Sequence, residues 1–412
     1  MTEGDDVARL LYIPTDRQCL PAIASGLREA AGMAAAHSPC HVAVIEHREA
    51  AYLREHAGLL REAASGPLGA AVLHVTPALW RAFLDAVLHR TALPEADRCR
   101  VRALFPSPTV AYGAGPNKAA LLAASLAARF LHRRDSDQVP DVRDGQPCYP
   151  YVLEVAAAGR TVAETATRWP LRNGQPDQRH AAAPAAPAAT VSLTGSGLVG
   201  DVSLDRRDLT DVAPELAAQV HALALPEVPL EQLRSRLHAK YQQGPQVRHA
   251  ADFFELDTTG STEMGNSCMV DRFLELPEMP APETLATDYT VKNLLYQVGS
   301  PVLYHSRKMV HTYEQGRRVP TPLAAARYAL RDLRYLILRR VRTDLNREVV
   351  ASPGRFVDAG GVVDGPAFAA RYAEHLDRLL PTLHEIPARY GAIYAQATAC
   401  AAGDAAARLS AI

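Results

Sequence analysis

The chain has 412 residues, of which 22% are charged, and its 44 Lys and Arg balance 45 Asp and Glu to a formal net charge of −1. This balance argues against a large basic surface for nucleic acid, and the length allows two or three lobes. The start carries no signal-peptide pattern, no apolar run of about 18 residues could span a membrane, and the six cysteines form no CxxC pair. We therefore expect a reduced, cytoplasmic protein without a membrane span.

The first part of the chain alternates predicted strands and helices. Apolar runs predict the strands, and apolar residues at helical spacing predict the helices. The predicted bounds are 7–13, 41–45 and 70–75 for the strands and 20–35, 49–64 and 78–90 for the helices. This alternation is typical of an α/β fold with a mostly parallel sheet and helices on both faces, in which ligands bind beyond the carboxyl ends of the strands.

The rest of the chain divides by composition. Residues 151–190 include a Pro- and Ala-rich, low-complexity run, which predicts a flexible segment. Residues 191–319 mix strand and helix patterns, and residues 320–412 are mostly helical in pattern. The expected divisions are therefore 1–150, 151–190, 191–319 and a helical extension over 320–412.

Two aspartates, Asp135 and Asp137, flank Ser136 just after an apolar segment. Carboxylates one residue apart can hold a hard cation such as Mg²⁺ or Mn²⁺, which also binds phosphate oxygens and stabilises a leaving diphosphate. Asp-Ser-Asp is also a common turn or helix-cap sequence. The motif alone leaves both interpretations open.

Short segments in chain order give the motif a context, because together they resemble family 2-like glycosyltransferases with the GT-A fold. The segments are Tyr12–Arg17, Glu46, Asn117–Lys118, Asp135–Asp137, Met264–Met269, Thr287–Leu295, Gly299–His305 and Val310–His311. The resemblance implies a Rossmann-like, doubly wound sheet with a C-terminal helical extension. Residues 1–150 would form the nucleotide-sugar-binding half and residues 191–319 the acceptor and catalytic half.

The resemblance also implies a role for individual residues. The nucleotide would be bound by Pro14, Thr15, Asp16, Arg17, Glu46, Asn117, Lys118 and Ser136. The metal ligands would be Asp135, Asp137 and His311, with His305 as the alternative histidine, and the sugar and acceptor would meet Gly265, Asn266, Asp288 and Tyr289. Asp288 would be the catalytic base, although a carboxylate at a helix start is also favoured by the helix dipole alone.

We expect a hexosyl- or pentosyltransferase that uses Mn²⁺ or Mg²⁺ to move a sugar from a nucleotide diphosphate, UDP rather than GDP, to a small soluble acceptor in secondary metabolism. A single base would give an inverted product. Two alternatives stay open. A sugar-nucleotide nucleotidyltransferase would normally need a glycine-rich phosphate loop, which Pro14–Cys19 lacks. A non-catalytic GT-A-like partner protein would not need the carboxylates, and the helical extension could form a homodimer or cover the acceptor.

Overall fold

A computed structural model describes most of the chain. The described residues are 8–36, 39–65, 71–105, 112–172, 187–201, 214–235, 247–257, 261–279, 284, 286–312, 322–358, 362–383, 385–393 and 395–396. The chain divides into two compact units. The first contains residues 1–198, 248–310 and 357–364, and the second contains residues 199–247, 311–356 and 365–412.

A nine-stranded sheet is the centre of the first unit. With strands numbered in chain order, it contains β1 (Arg9–Thr15), β2 (Cys40–Glu46), β3 (Val72–Val75), β4 (Phe130–Arg134), β8 (Leu171–Arg172), β9 (Leu193–Gly195), β11 (Phe254–Leu256), β12 (Asn266–Val270) and β13 (Val302–His305). The spatial order is β3-β2-β1-β4-β12-β9-β13-β11-β8. The pairs β1–β2, β2–β3, β1–β4, β9–β13 and β8–β11 are parallel. β12 is antiparallel to β4 and β9, and β11 is antiparallel to β13. The expected mostly parallel α/β sheet is confirmed.

The remaining strands are short. β5 (Gln138–Pro140), β10 (Leu198–Gly200) and β14 (Met309–His311) form a three-stranded sheet in the order β10-β14-β5, and β6 (Val142–Arg143) pairs with β7 (Gln146–Pro147). The chain passes between the two units within β10 and within β14. The β6–β7 turn contains Asp144 and Gly145, both with positive φ, as a tight hairpin requires.

Helices connect the strands of the first unit. They are α1 (Leu20–Ala36), α2 (Leu53–Ala64), α3 (Pro77–His89), α4 (Glu95–Leu104), α5 (Ala114–Ser125), α6 (Tyr151–Ala157), α7 (Val162–Arg168) and α9 (Thr290–Gln297), with 3-10 turns at Arg272–Leu274 and Thr287–Tyr289. α6, α7 and β8 lie within residues 151–190, which were predicted as a flexible segment. Residues 173–186 of that segment are outside the described residues.

The core of the first unit explains why its strands could be recognised. Leu11 and Ile13 of β1 and Ile23 of α1 are buried in one apolar cluster, and Leu10 and Tyr12, which alternate with them along β1, are buried as well. Strands covered on both faces are apolar over successive residues rather than at alternate ones. Burial of each such side chain contributes about 1.5–3 kcal/mol relative to exposure.

The described residues of the second unit are mostly helical. It contains α8 (Pro214–Ala222), α10 (Pro322–Ala351) and α11 (Gly365–Leu383), and a 3-10 turn at Pro353–Arg355 follows α10. Leu216 and Val220 of α8, Leu336 and Val341 of α10 and Leu379 of α11 share one buried cluster. Among the described residues, no helix is long and apolar enough to cross a membrane.

Candidate functional site

Some of the predicted site residues lie at the carboxyl ends of parallel strands, at one edge of the sheet. Thr15 ends β1 and lies opposite Glu46, which ends β2. Arg134 ends β4 and lies opposite Asn266, which begins the antiparallel β12. Because β2 and β3 lie on one side of β1 and β4 lies on the other, the strand order reverses between β1 and β4. This is the place where ligands bind in open α/β sheets.

The turn after β1 contacts the turn after β4. Thr15 Oγ1 accepts a hydrogen bond from Arg17 N at 3.2 Å and donates to Arg17 O at 2.8 Å, which closes the first turn. The Arg17 guanidinium binds Asp16 Oδ1 through Nε at 3.0 Å and lies 3.6 Å from Asp137 Oδ2 through Nη1. Arg17, predicted for the nucleotide, therefore reaches an aspartate predicted for the metal. Pro14 lies in β1, and Ser136 lies between the two aspartates in the second turn.

Arg133 on β4 joins the predicted metal turn to the predicted base. Its Nε donates to Asp135 Oδ1 at 2.8 Å, and its Nη1 forms an ion pair with Asp288 Oδ2 at 2.6 Å. The side chains of Arg133 and Asp288 are only 5% and 4% exposed. Two aspartates that are 153 positions apart in the chain (288 − 135) therefore share one cation. The sequence interpretation did not include Arg133, although the residue pair Arg133–Arg134 directly precedes the motif.

Asp288 lies in the 3-10 turn before α9 and has one oxygen available. Its Oδ1 is buried and has no hydrogen-bond partner among the described residues. A buried carboxylate oxygen without a donor is costly, and such atoms in native proteins need an explanation, for which an absent ion or substrate is one candidate. The neighbouring Tyr289 donates its hydroxyl hydrogen to Glu263 and is therefore held in place.

The carboxylates raise one another's affinity for positive charge. Loss of solvent raises the pKa of Asp135, Arg133 opposes that change, and the nearby charges of Asp137 and Asp288 raise the pKa further. A divalent cation would relieve this repulsion, and carboxylate oxygens suit Mg²⁺ and Mn²⁺. The buried Oε1 of Gln138, next along the chain, also has no hydrogen-bond partner among the described residues. The donor set therefore fits a hard cation.

Gly265 and Asn266 close the site from β12. Asp135 N donates to Gly265 O at 3.2 Å, and a Cβ at position 265 would collide with the Asp135 carboxylate. Asn266 Nδ2 donates to the carbonyl oxygens of Gly197 at 3.3 Å and Arg307 at 3.2 Å. Glycine at position 265 therefore leaves room for the Asp135 side chain. Asn266 connects the backbone at Gly197 to the backbone at Arg307.

Asn117 and Lys118 lie on the first turns of α5. Asn117 Nδ2 donates to Glu278 O, and Glu278 N donates to Asn117 Oδ1, both at 2.7 Å, so the amide clamps a distant backbone segment. Lys118 is 3% exposed, its Nζ lies 5.5 Å from the centre of the Trp80 ring, and burial lowers its pKa to about 8. Their roles in nucleotide binding stay predictions.

A cavity of about 20 Å³ lies beside this network. Tyr12, Asn117, Arg133, Ser267 and Glu278 contribute its polar lining. Its volume suits about one water molecule. It is therefore a water-sized space next to the Arg133–Asp288 pair, and it is too small to hold a sugar.

The two candidate histidines have different surroundings. His311 belongs to the second unit, where its Nδ1 donates to Asp201 O at 2.9 Å. His305 belongs to the first unit, is fully buried, and its Nε2 lies 3.9 Å from Glu154 Oε1. Burial lowers the pKa of His305, which Glu154 opposes. The assignment of His311 or His305 to a metal stays a prediction.

A buried charge network supports the end of β4. Arg134 donates from Nε and Nη2 to both carboxylate oxygens of Glu29, at 2.9 and 2.6 Å, and from Nη1 and Nη2 to Glu154, at 3.0 and 2.8 Å. His132 Nδ1 lies 2.7 Å from Glu154 Oε2. The two glutamates hold the pKa of Arg134 above its ordinary value despite burial. Since neighbouring strand residues point to opposite faces, Arg133 serves the site and Arg134 the core.

Glu46 belongs to a separate cluster with two histidines. Its Oε1 is 2.8 Å from His56 Nδ1 and 3.0 Å from His74 Nε2. One ligand atom from each of these three residues lies within 4.8 Å of the others. Among the described residues, these three side chains are therefore close enough together to hold a metal ion. The spacing of the three in the sequence gave no signal of this cluster. The predicted contact of Glu46 with a nucleobase stays a prediction.

The mixed α/β fold and its edge of clustered carboxylates define an α/β protein with a candidate ligand site at the strand-order reversal. Residues 9–382 match the model of a family described as "Family of unknown function (DUF6271)", and the chain belongs to this family. No curated protein matches the chain.

Proposed function

We propose that this protein is a metal-dependent glycosyltransferase with a GT-A-type fold, which transfers a sugar from a nucleotide diphosphate, UDP in preference to GDP, to a small soluble acceptor. The observation that carries the proposal is the Arg133 bridge. It brings Asp135, predicted as a metal ligand, to Asp288, predicted as the catalytic base. The strand-order reversal beside this bridge supports a nucleotide site at the same edge. We also propose that the enzyme is cytoplasmic and acts in secondary metabolism.

Asp135 and Asp137 would hold Mn²⁺ or Mg²⁺. A bound cation supplies positive charge to the leaving diphosphate. Arg17 lies against Asp137 and presents a guanidinium, which suits phosphate oxygens. Thr15 and Asp16 fix the position of Arg17 within its turn.

Asp288 would act as the base for the acceptor. The acceptor oxygen forms a bond to the anomeric carbon, the bond from that carbon to the diphosphate breaks, and the acceptor proton moves to Asp288. Arg133 holds Oδ2 of Asp288, which leaves Oδ1 as the oxygen that receives the proton. Displacement in one step gives an inverted product.

Calorimetric titration of the purified chain with UDP and GDP, with and without Mn²⁺, tests the donor site. We expect UDP to bind in the micromolar range with Mn²⁺ and weakly after chelation. The Asp137→Ala variant should lose the effect of the metal while keeping its fold. Asp144→Asn is the control, because Asp144 is an exposed aspartate in a hairpin turn where asparagine tolerates positive φ. Absence of binding by both nucleotides to the folded protein, or an unchanged response in Asp137→Ala, would refute the assignment.

The Asp288→Asn variant tests the base separately. It should keep metal-dependent binding of UDP, because Asp288 lies on the acceptor side of the Arg133 bridge in this proposal. It should lose at least about 100-fold in release of UDP from a UDP-sugar in the presence of acceptors, since general base catalysis is worth about 10²–10⁴-fold. Full turnover in this variant would exclude Asp288 as the base.

A further inference from the structure

Glu46 is a buried carboxylate whose neighbours are histidines. The carboxylate ends β2, His56 lies on α2, and His74 lies on β3. Glu46 and His56 are fully buried, while the His74 side chain is 16% exposed. The three side chains therefore converge from three elements, with one open side at His74.

The charge of Glu46 has no fixed counterpart nearby. No Lys or Arg nitrogen among the described residues lies within 4.0 Å of it, and its ion-pair neighbours are His56 and His74. Its second oxygen, Oε2, is buried and lacks a hydrogen-bond partner within the same described set. Because an unpaired buried carboxylate is costly, a bound cation would stabilise this site.

We propose that Glu46, His56 and His74 bind a divalent transition-metal ion of the Zn²⁺ class. Two imidazoles and one carboxylate are a common zinc ligand set, and metal–ligand bonds of about 2.0–2.1 Å place tetrahedral ligand atoms roughly 3.3 Å apart. The Glu46 oxygen is already 2.8 and 3.0 Å from the two histidine nitrogens, so it needs to move away from each by only a few tenths of an ångström. All three ligand atoms lie within 4.8 Å of one another. The open side at His74 leaves room for a fourth ligand.

Metal binding requires one change at His56. Cys19 N donates to His56 Nε2 at 3.1 Å, so in the neutral ring the proton is on Nδ1 and points to Glu46. A metal at Nδ1 moves that proton to Nε2, and the bond from Cys19 N must open. Cys19 Sγ, 3.8 Å from Nε2, is an acceptor within reach of the relocated proton. The Cys19 amide therefore reports on metal binding through its hydrogen exchange.

This site differs in chemistry from the Asp135–Asp137 site. Carboxylates alone favour Mg²⁺ and Mn²⁺, whereas imidazole ligands favour Zn²⁺ and Co²⁺. The inference goes beyond the proposed function and is independent of it, except that a metal would remove the Glu46 carboxylate from contact with a nucleobase. Binding of UDP with Mn²⁺ and binding of Zn²⁺ can succeed or fail separately.

Titration of the full chain with Co²⁺, followed by displacement with Zn²⁺, tests the site without an activity assay. We expect about one Co²⁺ per chain with the strong visible absorption of tetrahedral coordination, displaced by Zn²⁺ and not by Mg²⁺, with faster exchange of the Cys19 amide. His74→Ala should weaken Zn²⁺ binding by at least about 100-fold. His89→Ala, at an exposed histidine, should bind as the wild type does.

Three results would overturn the proposal: a folded wild type that binds no Zn²⁺, a Co²⁺ spectrum without tetrahedral bands, or equal Zn²⁺ affinity in His74→Ala and His89→Ala. If His74→Ala does not fold, the wild-type Co²⁺ spectrum and the Cys19 exchange decide alone. Asp137→Ala should bind Zn²⁺ unchanged, which separates this site from the one proposed for the nucleotide.

Discussion

Replacing Lys118 with methionine should stabilise the protein at neutral pH. Lys118 is buried against Trp80, and burial lowers its pKa from the ordinary 10.5 to about 8. A pKa difference of about 2.5, at about 1.4 kcal/mol for each pKa unit, makes the buried charge cost about 3.5 kcal/mol. Methionine has a similar length and removes the charge, so about 3.5 kcal/mol is the upper limit of the gain.

The lowered pKa of Lys118 makes the stability of the wild type depend on pH. Below about pH 8 lysine is protonated in both the folded and the unfolded chain, and the full cost of burial applies. Between about pH 8 and pH 10.5 the unfolded chain binds more protons than the folded chain, so the wild type gains stability as the pH rises. The difference in unfolding free energy between Lys118→Met and the wild type should therefore be largest near neutral pH and should vanish near pH 10.5.

Urea unfolding of both proteins at several pH values measures this difference, and other groups that titrate cancel in the comparison. Arg81→Met is the control, since Arg81 is an exposed cation on the same helix as Trp80. Its unfolding free energy should differ from the wild type by a pH-independent amount, within about 0.5 kcal/mol. A Lys118→Met difference that stays constant from neutral to alkaline pH would show that Lys118 is not buried as a charge.

Three further substitutions test other parts of the structure. Arg134→Met removes the cation that pairs with two buried glutamates and should lower the unfolding free energy by about 3–5 kcal/mol in urea. A loss below about 1 kcal/mol would contradict the network. Gly265→Ala should displace the Asp135 carboxylate and weaken Mn²⁺-dependent UDP binding by at least about tenfold in calorimetry, and unchanged binding would separate Asp135 from the metal. Burial raises the pKa of Glu278 to about 8, so its contribution to stability is present below pH 4.5 and is lost as the pH rises to about 8. Glu278→Gln should remove this decrease in stability with rising pH. If the unfolding free energy of this variant had the same pH dependence as that of the wild type, the raised pKa of Glu278 would be refuted.

The parallel half of the sheet was predictable because its strands are short apolar runs. The predicted strands at 7–13, 41–45 and 70–75 correspond to Arg9–Thr15, Cys40–Glu46 and Val72–Val75. Alternating helices between them require parallel pairing, because a crossover returns the chain to the same edge. The helical pattern after residue 320 likewise corresponds to α10 and α11. Short strands such as β9 and β11, with three residues each, carry too little pattern to predict.

The side-chain networks were not predictable from the sequence. Spacing within a segment indicated Asp135 and Asp137, but nothing in the sequence joins Arg133 to Asp288 or Glu46 to His74. Such contacts depend on which strands become neighbours, and local periodicity does not contain that information. The resemblance predicted that Asp135 and Asp288 belong to one site, and in the structure both carboxylates contact Arg133.

The order in which the chain is synthesised has a consequence for the first unit. This unit is built from three separate stretches, and the last, residues 357–364, follows most of the helical second unit in the chain. Within it, Val363 N donates to Glu275 at 2.8 Å. A ribosome-bound chain that ends before this stretch has emerged therefore lacks the last part of the sheet-containing unit, although all nine strands of its sheet have been synthesised. Domains usually mature from the amino terminus onward, but we expect this unit to make its last contacts only after most of the second unit has been synthesised.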